Sequence, residues 1–126
     1  IFNMVASYVL PENWEVGLRW RVISGNPATP SQTVQTGRSF FTDSIDAYAN
    51  VPGETNSIRL PIFHQLDLRI EKAWIFDFYT LKAFLSLINT YNRDNPEGFD
   101  RNFDFTQETF VTGLPVFPNI GVRAEF

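Results

Sequence analysis

The chain has 126 residues, a formal net charge of −4 and no cysteine, which excludes disulfides, thiolate-bound zinc and thiol catalysis. It has no Lys- or Arg-rich run, so we expect no nucleic-acid partner. No apolar run reaches the roughly 20 residues that a transmembrane helix needs. The chain begins at Ile1 without a signal peptide, which predicts a processed chain or a piece of a longer one.

Two segments near the start, 1–10 and 14–24, alternate between apolar and polar residues with the period of two that indicates a β-strand. Pro11, Glu12 and Asn13 separate them, and the Pro and Asn predict a tight turn. In the second segment one face would carry Trp14, Val16, Leu18, Trp20 and Val22.

Three further segments, 62–74, 78–89 and 117–126, alternate in the same way. Each of the five segments is near the roughly 9–11 residues with which a tilted strand crosses a bilayer. The last segment ends on Phe126, and this ending resembles the closing strand of bacterial outer-membrane barrels.

The connections between these segments alternate in length. Those at 11–13 and 75–77 are short, whereas those at 25–61 and 90–116 are long and rich in Gly, Pro, Asn, Asp, Ser and Thr. Long loops are uncommon in compact domains and are usually functional. In outer-membrane barrels, short turns face the periplasm and long loops face outside. The pattern predicts an all-β, antiparallel transmembrane barrel segment with a periplasmic C-terminus.

This topology assigns one face of each strand to lipid and the other to a hydrated lumen. The predicted lipid-facing side chains are Leu18, Trp20, Leu66, Leu68, Leu81, Leu85 and Val122. An aromatic girdle near the periplasmic interface would consist of Trp14, Trp74, Tyr79 and Phe126. The polar faces carry Glu15, Arg19, Arg21, Asp67, Arg69, Glu71, Lys82, Arg123 and Glu125. Such charges would be costly in a sandwich core, although a soluble sheet with one solvated face is the alternative.

Four ordered segments carry a family resemblance. They are 24–30 (SGNPATP), 60–69 (LPIFHQLDLR), 87–96 (LINTYNRDNP) and 114–122 (LPVFPNIGV), followed by Phe126. Together they resemble the C-terminal part of TonB-dependent outer-membrane receptors, and the resemblance covers most of the chain. It implies about five C-terminal strands of a 22-stranded barrel filled by an N-terminal plug.

The resemblance also implies a role and a location. The whole receptor would take up a siderophore, vitamin, sugar or peptide across the outer membrane of a Gram-negative bacterium. This chain would supply barrel wall, the closing strand and two extracellular loops, without enzyme activity or a resident cofactor. Its partners would be outer-membrane lipid, the remaining strands and plug of the same or a companion chain, and the TonB system through that plug. Five strands alone cannot close a barrel, because an open edge in lipid leaves backbone groups unpaired.

The sequence offers three kinds of candidate site: catalytic, calcium-binding and nutrient-binding. His64, Asp67 and Ser57 could be read as a catalytic set, but the alternation places Asp67 on the face opposite His64, so we expect no catalysis. Weak calcium candidates are Asp94, Glu97, Asp100 and Asp104. Aromatic residues that could contact a nutrient, or equally pack the loops together, include Phe40, Phe41, Tyr48, Phe99 and Phe103.

Two other functions remain open from the sequence. One is a soluble or surface-exposed β-sandwich that binds ligand through its aromatic loops. The other is an outer-membrane enzyme centred on His64, which nothing else in the sequence supports.

Overall fold

The computed structural model describes all residues, 1–126, and antiparallel β-structure dominates it. In chain order the strands are β1 (Phe2–Leu10), β2 (Trp14–Ile23), β3 (Pro27–Ala28), β4 (Phe40–Thr42), β5 (Ala47–Ala49), β6 (Ile58–Arg59), β7 (Phe63–Ile75), β8 (Thr80–Ile88), β9 (Pro96–Arg101), β10 (Glu108–Thr112) and β11 (Phe117–Glu125). One short helix, α1 (Gln32–Thr36), and a 3₁₀ turn at Pro11–Asn13 complete the elements. The prediction of an all-β chain with antiparallel sheets is confirmed.

The five long strands form one sheet in the spatial order β1-β2-β7-β8-β11. They are 9, 10, 13, 9 and 9 residues long, and every neighbouring pair is antiparallel. Strands of this length can each cross a bilayer when tilted. The sheet is open, because β1 and β11 each pair on one side only.

The register keeps apolar residues opposite apolar residues over most of one face of the sheet, with Lys72 and His64 as the exceptions. Leu18 lies opposite Ala6 on one side and Leu68 on the other, and Leu85 lies opposite Ile70 and Ile120. Opposed residues in an antiparallel pair point to the same face. The alternation in each strand therefore adds up to one continuous apolar face and one continuous polar face.

Tight turns connect the hairpins of this sheet. Glu12 and Asn13 both have positive φ, 59° and 60°, which suits the right-handed twist of the flanking strands. The second turn takes residues 76–79, where the Phe76 backbone N–H donates to the Tyr79 carbonyl at 2.9 Å. Strand β8 therefore begins at Thr80 and not at residue 78, and β7 runs one residue beyond the predicted end, to Ile75.

The two long connections are more ordered than the sequence indicates. Ser24–Ile62 and Asn95–Gly113 form a compact unit of their own, while Ile1–Ile23, Phe63–Asp94 and Leu114–Phe126 form the sheet unit. Strand β3 pairs with β6, β4 with β5, and β9 with β10, all antiparallel. Sequence reasoning treated these residues as loops because two- and three-residue strands are too short to show a period.

Helix α1 and its neighbours anchor part of the loop unit. The Ser31 hydroxyl accepts from the Val34 N–H at 3.4 Å, and Gly37 ends the helix with φ 64°. Thr33, which is completely buried, accepts from the Val51 N–H at 3.2 Å. Gly25 lies so close to the Leu60 carbonyl that a Cβ there would collide with it. No helix in the structure is long and apolar enough to cross a membrane.

Candidate functional site: the two faces of the five-stranded sheet

The apolar face of the sheet unit is exposed. It is made of the even-numbered residues from Phe2 to Leu10 and from Trp14 to Val22, and of the residues opposite them in β7, β8 and β11. All seven side chains predicted to face lipid lie on it: Leu18, Trp20, Leu66, Leu68, Leu81, Leu85 and Val122. Leu85 is 39% exposed and Val122 is 67% exposed. We call this surface the apolar face.

The chain buries little apolar surface. Leu60, at 9% exposure, is its single buried hydrophobic residue, and it belongs to the loop unit. The solvent-accessible area is 8975 Å², whereas a folded monomer of this mass exposes about 6,900 Å². The five-stranded sheet thus has no hydrophobic core of its own, and its apolar face requires a cover.

Aromatic side chains gather at one end of the apolar face. Trp14 begins β2, Trp74 is the last residue but one of β7 and lies opposite Leu81, and the Tyr79 ring lies 6.1 Å from the Phe126 ring. Phe76 stacks on Tyr79 at 4.6 Å. The four residues predicted as a girdle therefore all lie where the short turns are, and Phe76 joins them.

Lysine 72 also lies on the apolar face, where sequence reasoning missed it. It lies opposite Trp14 and Ala83, on the same face of β7 as Leu66, Leu68, Ile70 and Trp74. Its Nζ is 5.2 Å from the Trp14 ring centroid. The alternation itself held the signal, because residue 72 has the same parity as its apolar neighbours.

The polar face carries ion pairs between neighbouring strands. The Arg19 guanidinium donates to Asp67 at 2.7 and 3.1 Å, linking β2 to β7. Lys82 lies 3.3 Å from Glu125 and links β8 to β11. Partly exposed pairs of this kind contribute about 0–1 kcal/mol each. Their contribution to the free energy of folding is therefore small. They neutralise charge across the face and favour one strand register.

A second contact on the polar face stacks three residues. The Arg69 guanidinium lies 3.9 Å from the Phe84 ring centroid, and Arg69 also donates to Glu71 at 2.7 Å. The other side of the Phe84 ring covers Gly121, where a Cβ would lie 2.5 Å from the ring carbons. Glycine at 121 therefore lets an aromatic ring lie flat across the β8–β11 pair.

Asp67 and Asn89 form the most enclosed polar cluster of the sheet unit. Asp67 accepts from Arg19, from Gln65 at 2.5 Å and from the Asn89 N–H at 3.1 Å. Asn89, only 1% exposed with φ 53°, donates its amide to the carbonyls of Arg93 and Leu114, each at 2.9 Å. Asn89 thus ends β8 and ties both ends of the segment 90–116. Sequence reasoning assigned it no role, although asparagine is the non-glycine residue that most readily adopts positive φ.

Small residues leave a shallow hollow in the middle of the polar face. Its volume is about 290 Å³, and Ser7, Gly17, Arg19, Asp67 and Ser86 are among the residues that line it. Of its three charged lining residues, Arg19 and Asp67 bind each other and Arg69 binds Glu71. The hollow offers room for a side chain of another segment but no unpaired charge to bind a ligand.

Histidine 64 does not form a catalytic set with Asp67. The His64 Nδ1 lies 2.7 Å from the Tyr91 hydroxyl, and His64 is opposite Val22 on the apolar face. Asp67 lies opposite Arg19 on the polar face. Ser57 lies in the turn before β6, where its N–H donates to the Glu54 carbonyl at 3.3 Å.

The acidic residues of the second long connection are dispersed. No group of three or more His, Asp or Glu side chains is placed to hold a metal ion. The Asp104 carboxylate accepts from the Thr106 hydroxyl at 2.7 Å, and this hydrogen bond lowers the pKa of Asp104. The Asp100 carboxylate accepts from the Arg101 N–H at 2.9 Å.

The loop unit groups several of the aromatic residues that were weighed as ligand contacts. Tyr48 lies edge-on to Phe41 at 5.3 Å and to Phe103 at 5.8 Å, so it joins the two long connections. Phe99 stacks on Phe110 at 5.3 Å across β9 and β10. Phe40 is opposite Ala49. Phe103 remains 79% exposed, so the cluster packs the loop unit and still presents aromatic surface.

Comparisons with known proteins identify no relative: no protein-family model, no curated protein and no solved structure matches the chain.

Proposed function

We propose that this chain is wall of a transmembrane β-barrel in the outer membrane of a Gram-negative bacterium. The observation that carries the proposal is the continuous apolar face of the five-stranded sheet, exposed in the absence of any hydrophobic core. Covering this face with lipid hydrocarbon would stabilise the protein by about 25 cal/mol for each Å² of apolar surface removed from water. A bilayer covers a face of this extent without any complementary protein surface.

The polar face supports the same proposal. Its charges are paired across strands, as Arg19 with Asp67 and Lys82 with Glu125, and they remain partly exposed. A hydrated lumen tolerates such pairs, whereas a dry sandwich core would impose a desolvation cost of several kcal/mol per ion. A second sheet packed on this side is therefore disfavoured.

The unpaired edges of the sheet show that a closed barrel would need further strands. Strands β1 and β11 each have one unpaired side, and within a bilayer every unpaired backbone group costs several kcal/mol. The barrel must be completed by further strands, from the same polypeptide or from companion chains. The four family-like segments favour the first source and a TonB-dependent receptor, in which a plug fills the lumen and couples transport to TonB.

The turns and long connections suggest an orientation. The two tight turns lie at the end of the sheet that carries Trp14, Trp74 and Tyr79, and the chain leaves the opposite ends of β2 and β8 to enter the long connections. Outer-membrane barrels usually have short turns in the periplasm and long connections on the extracellular side. The loop unit would then meet nutrient, with the aromatic cluster around Tyr48 as its exposed surface.

The experiment that tests this proposal is fractionation of cells that express the natural polypeptide, followed by peptide mass spectrometry. We expect the protein in the outer-membrane fraction, soluble only in detergent, with peptides from additional strands and a plug upstream of Ile1 or in a co-purifying chain. A folded monomer extracted without detergent would refute the barrel and favour a β-sandwich. Outer-membrane location without any plug-like partner would refute the TonB-dependent receptor and leave the barrel wall standing.

A further inference from the structure

Lys72 is the only Lys, Arg, Asp or Glu side chain on the apolar face. Every other residue of that face in the cross-strand pairs is hydrophobic or aromatic, apart from His64 at the opposite end of β7. A formal charge on a lipid-facing surface is costly at mid-membrane and is tolerated where a long side chain reaches the interface. Lys72 lies near the end of the sheet that carries the aromatic girdle, where that condition holds.

The ammonium of Lys72 lies between the Glu12 turn and the Trp14 ring. The Nζ donates to the Glu12 carbonyl and lies 3.9 Å from the Glu12 carboxylate and 5.2 Å from the Trp14 ring. An ammonium has three donors, and the carbonyl uses one of them. The Lys72 side chain is 15% exposed, while the Glu12 side chain is 83% exposed. The Lys72 side chain is therefore mostly covered and that of Glu12 mostly exposed, and a positive and a negative group lie side by side at the edge of the apolar face.

This pair of charges selects one kind of headgroup. A net-anionic lipid would bring its charge toward Glu12 as well as Lys72, so attraction and repulsion would largely cancel. A zwitterionic headgroup can align its phosphate with Lys72 and its ammonium with Glu12, and both contacts are charge-assisted. A primary ammonium can donate hydrogen bonds to the Glu12 carboxylate, whereas a quaternary ammonium has no N–H to donate.

We propose that Lys72, Glu12 and Trp14 form a binding site for a zwitterionic phospholipid with a primary ammonium, of the phosphatidylethanolamine class. The phosphate contacts the Lys72 ammonium, the lipid ammonium contacts the Glu12 carboxylate, and the Trp14 ring packs on the glycerol region. The inference rests on the proposed function, since it requires the apolar face to lie in a bilayer. It adds a specific headgroup contact to what would otherwise be general lipid solvation.

The test is native mass spectrometry of the full natural polypeptide, purified in detergent and mixed with equal amounts of phosphatidylethanolamine, phosphatidylcholine and phosphatidylglycerol. Variants are Lys72→Met, which keeps the apolar stem, and Glu12→Gln, which keeps the exposed turn residue. The control is Lys82→Met on the polar face, because Arg123 at 3.0 Å still pairs with Glu125. We expect phosphatidylethanolamine to be retained best by the unmodified protein and the control, and retention to fall about tenfold in Lys72→Met, as for loss of one charge-assisted hydrogen bond.

The Glu12→Gln variant separates the two halves of the site. It should bring phosphatidylcholine and phosphatidylethanolamine to similar retention, because the contact that distinguishes their ammonium groups is gone. Equal retention of all three lipids by the unmodified protein, preference for phosphatidylglycerol, or an unchanged profile in both variants overturns the lipid site. In those cases the protein still requires detergent, so the barrel wall survives; a protein that is soluble without detergent overturns both proposals.

Discussion

Arginine placed at two adjacent residues of β8 should have very different effects, because the two side chains face opposite sides of the sheet. Leu85 lies opposite Ile70 and Ile120 on the apolar face, and Ser86 lies opposite Arg69 and Asn119 on the polar face. Both are near the middle of the nine-residue strand Thr80–Ile88. Depth in the membrane is therefore the same for both, and only the face differs.

The expected magnitude follows from these surroundings. An arginine on the lipid face near the bilayer midplane costs about 2–4 kcal/mol. At Ser86 the new arginine would face the lumen of the proposed barrel beside Arg69, which already binds Glu71, and a like-charge cross-strand neighbour costs up to about 1 kcal/mol. Leu85→Arg should thus be the more destabilising variant by about 1–4 kcal/mol, a difference of roughly 5- to 700-fold in the folding equilibrium.

The assay is denaturant unfolding of the full polypeptide refolded into phospholipid vesicles, with Leu85→Met as a volume-matched apolar control. Leu85→Arg should lower the unfolding free energy and the yield of assembled barrel, and Leu85→Met should leave both close to unchanged. Equal losses for Leu85→Arg and Ser86→Arg, or a larger loss at Ser86, would show that the apolar face does not meet lipid.

Three further predictions concern single contacts. Gly121→Val should lower the unfolding free energy because its side chain displaces the Phe84 ring, and Phe84→Ala in the same chain should recover part of the loss, measured as a double-mutant cycle. Asn89→Ala should cost about 1–3 kcal/mol by leaving two carbonyls without their donor, with faster limited proteolysis within 90–116; unchanged proteolysis would contradict this anchor. Because its pKa is lowered, Asp104 contributes to stability above the ordinary aspartate pKa, and this contribution is lost as the pH falls through the lowered pKa. Carboxyl NMR titration should show the pKa of Asp104 returning toward its ordinary value in Thr106→Ala, and an identical titration curve would contradict the assignment.

The strands were predictable because their signal is long and regular. Nine to thirteen residues of alternation outweigh any local exception, so the five strands of the sheet lie within one or two residues of their predicted bounds. The ends were less predictable because they depend on single hydrogen bonds. The bond from Phe76 to Tyr79 extends the turn, and the positive φ of Asn89 ends β8.

The contacts of the loop unit and of the polar cluster around Asp67 and Asn89 could not be predicted from the sequence, because they join distant positions. Contacts such as Tyr48 with Phe103 join residues more than fifty positions apart, and no period in the sequence records them. The link from Asp67 to Asn89 likewise depends on β7 and β8 being neighbours in the correct register. Alternation with a period of two places Asp67 on the polar face but does not indicate which residue Asp67 binds there.

The Asp67 cluster links neighbouring strands of the sheet to the residues that flank the segment 95–113. Asp67 binds Arg19 of β2 and the backbone of Asn89, and Asn89 in turn holds the carbonyls of Arg93 and Leu114. Loss of the Arg19 side chain would leave the carboxylate of Asp67 with fewer donors and would weaken the cluster that includes Asn89. Both ends of the segment 90–116 would then lose their common anchor. Arg19, Asp67 and Asn89 thus form one hydrogen-bonded chain that runs from β2 to the carbonyls of Arg93 and Leu114.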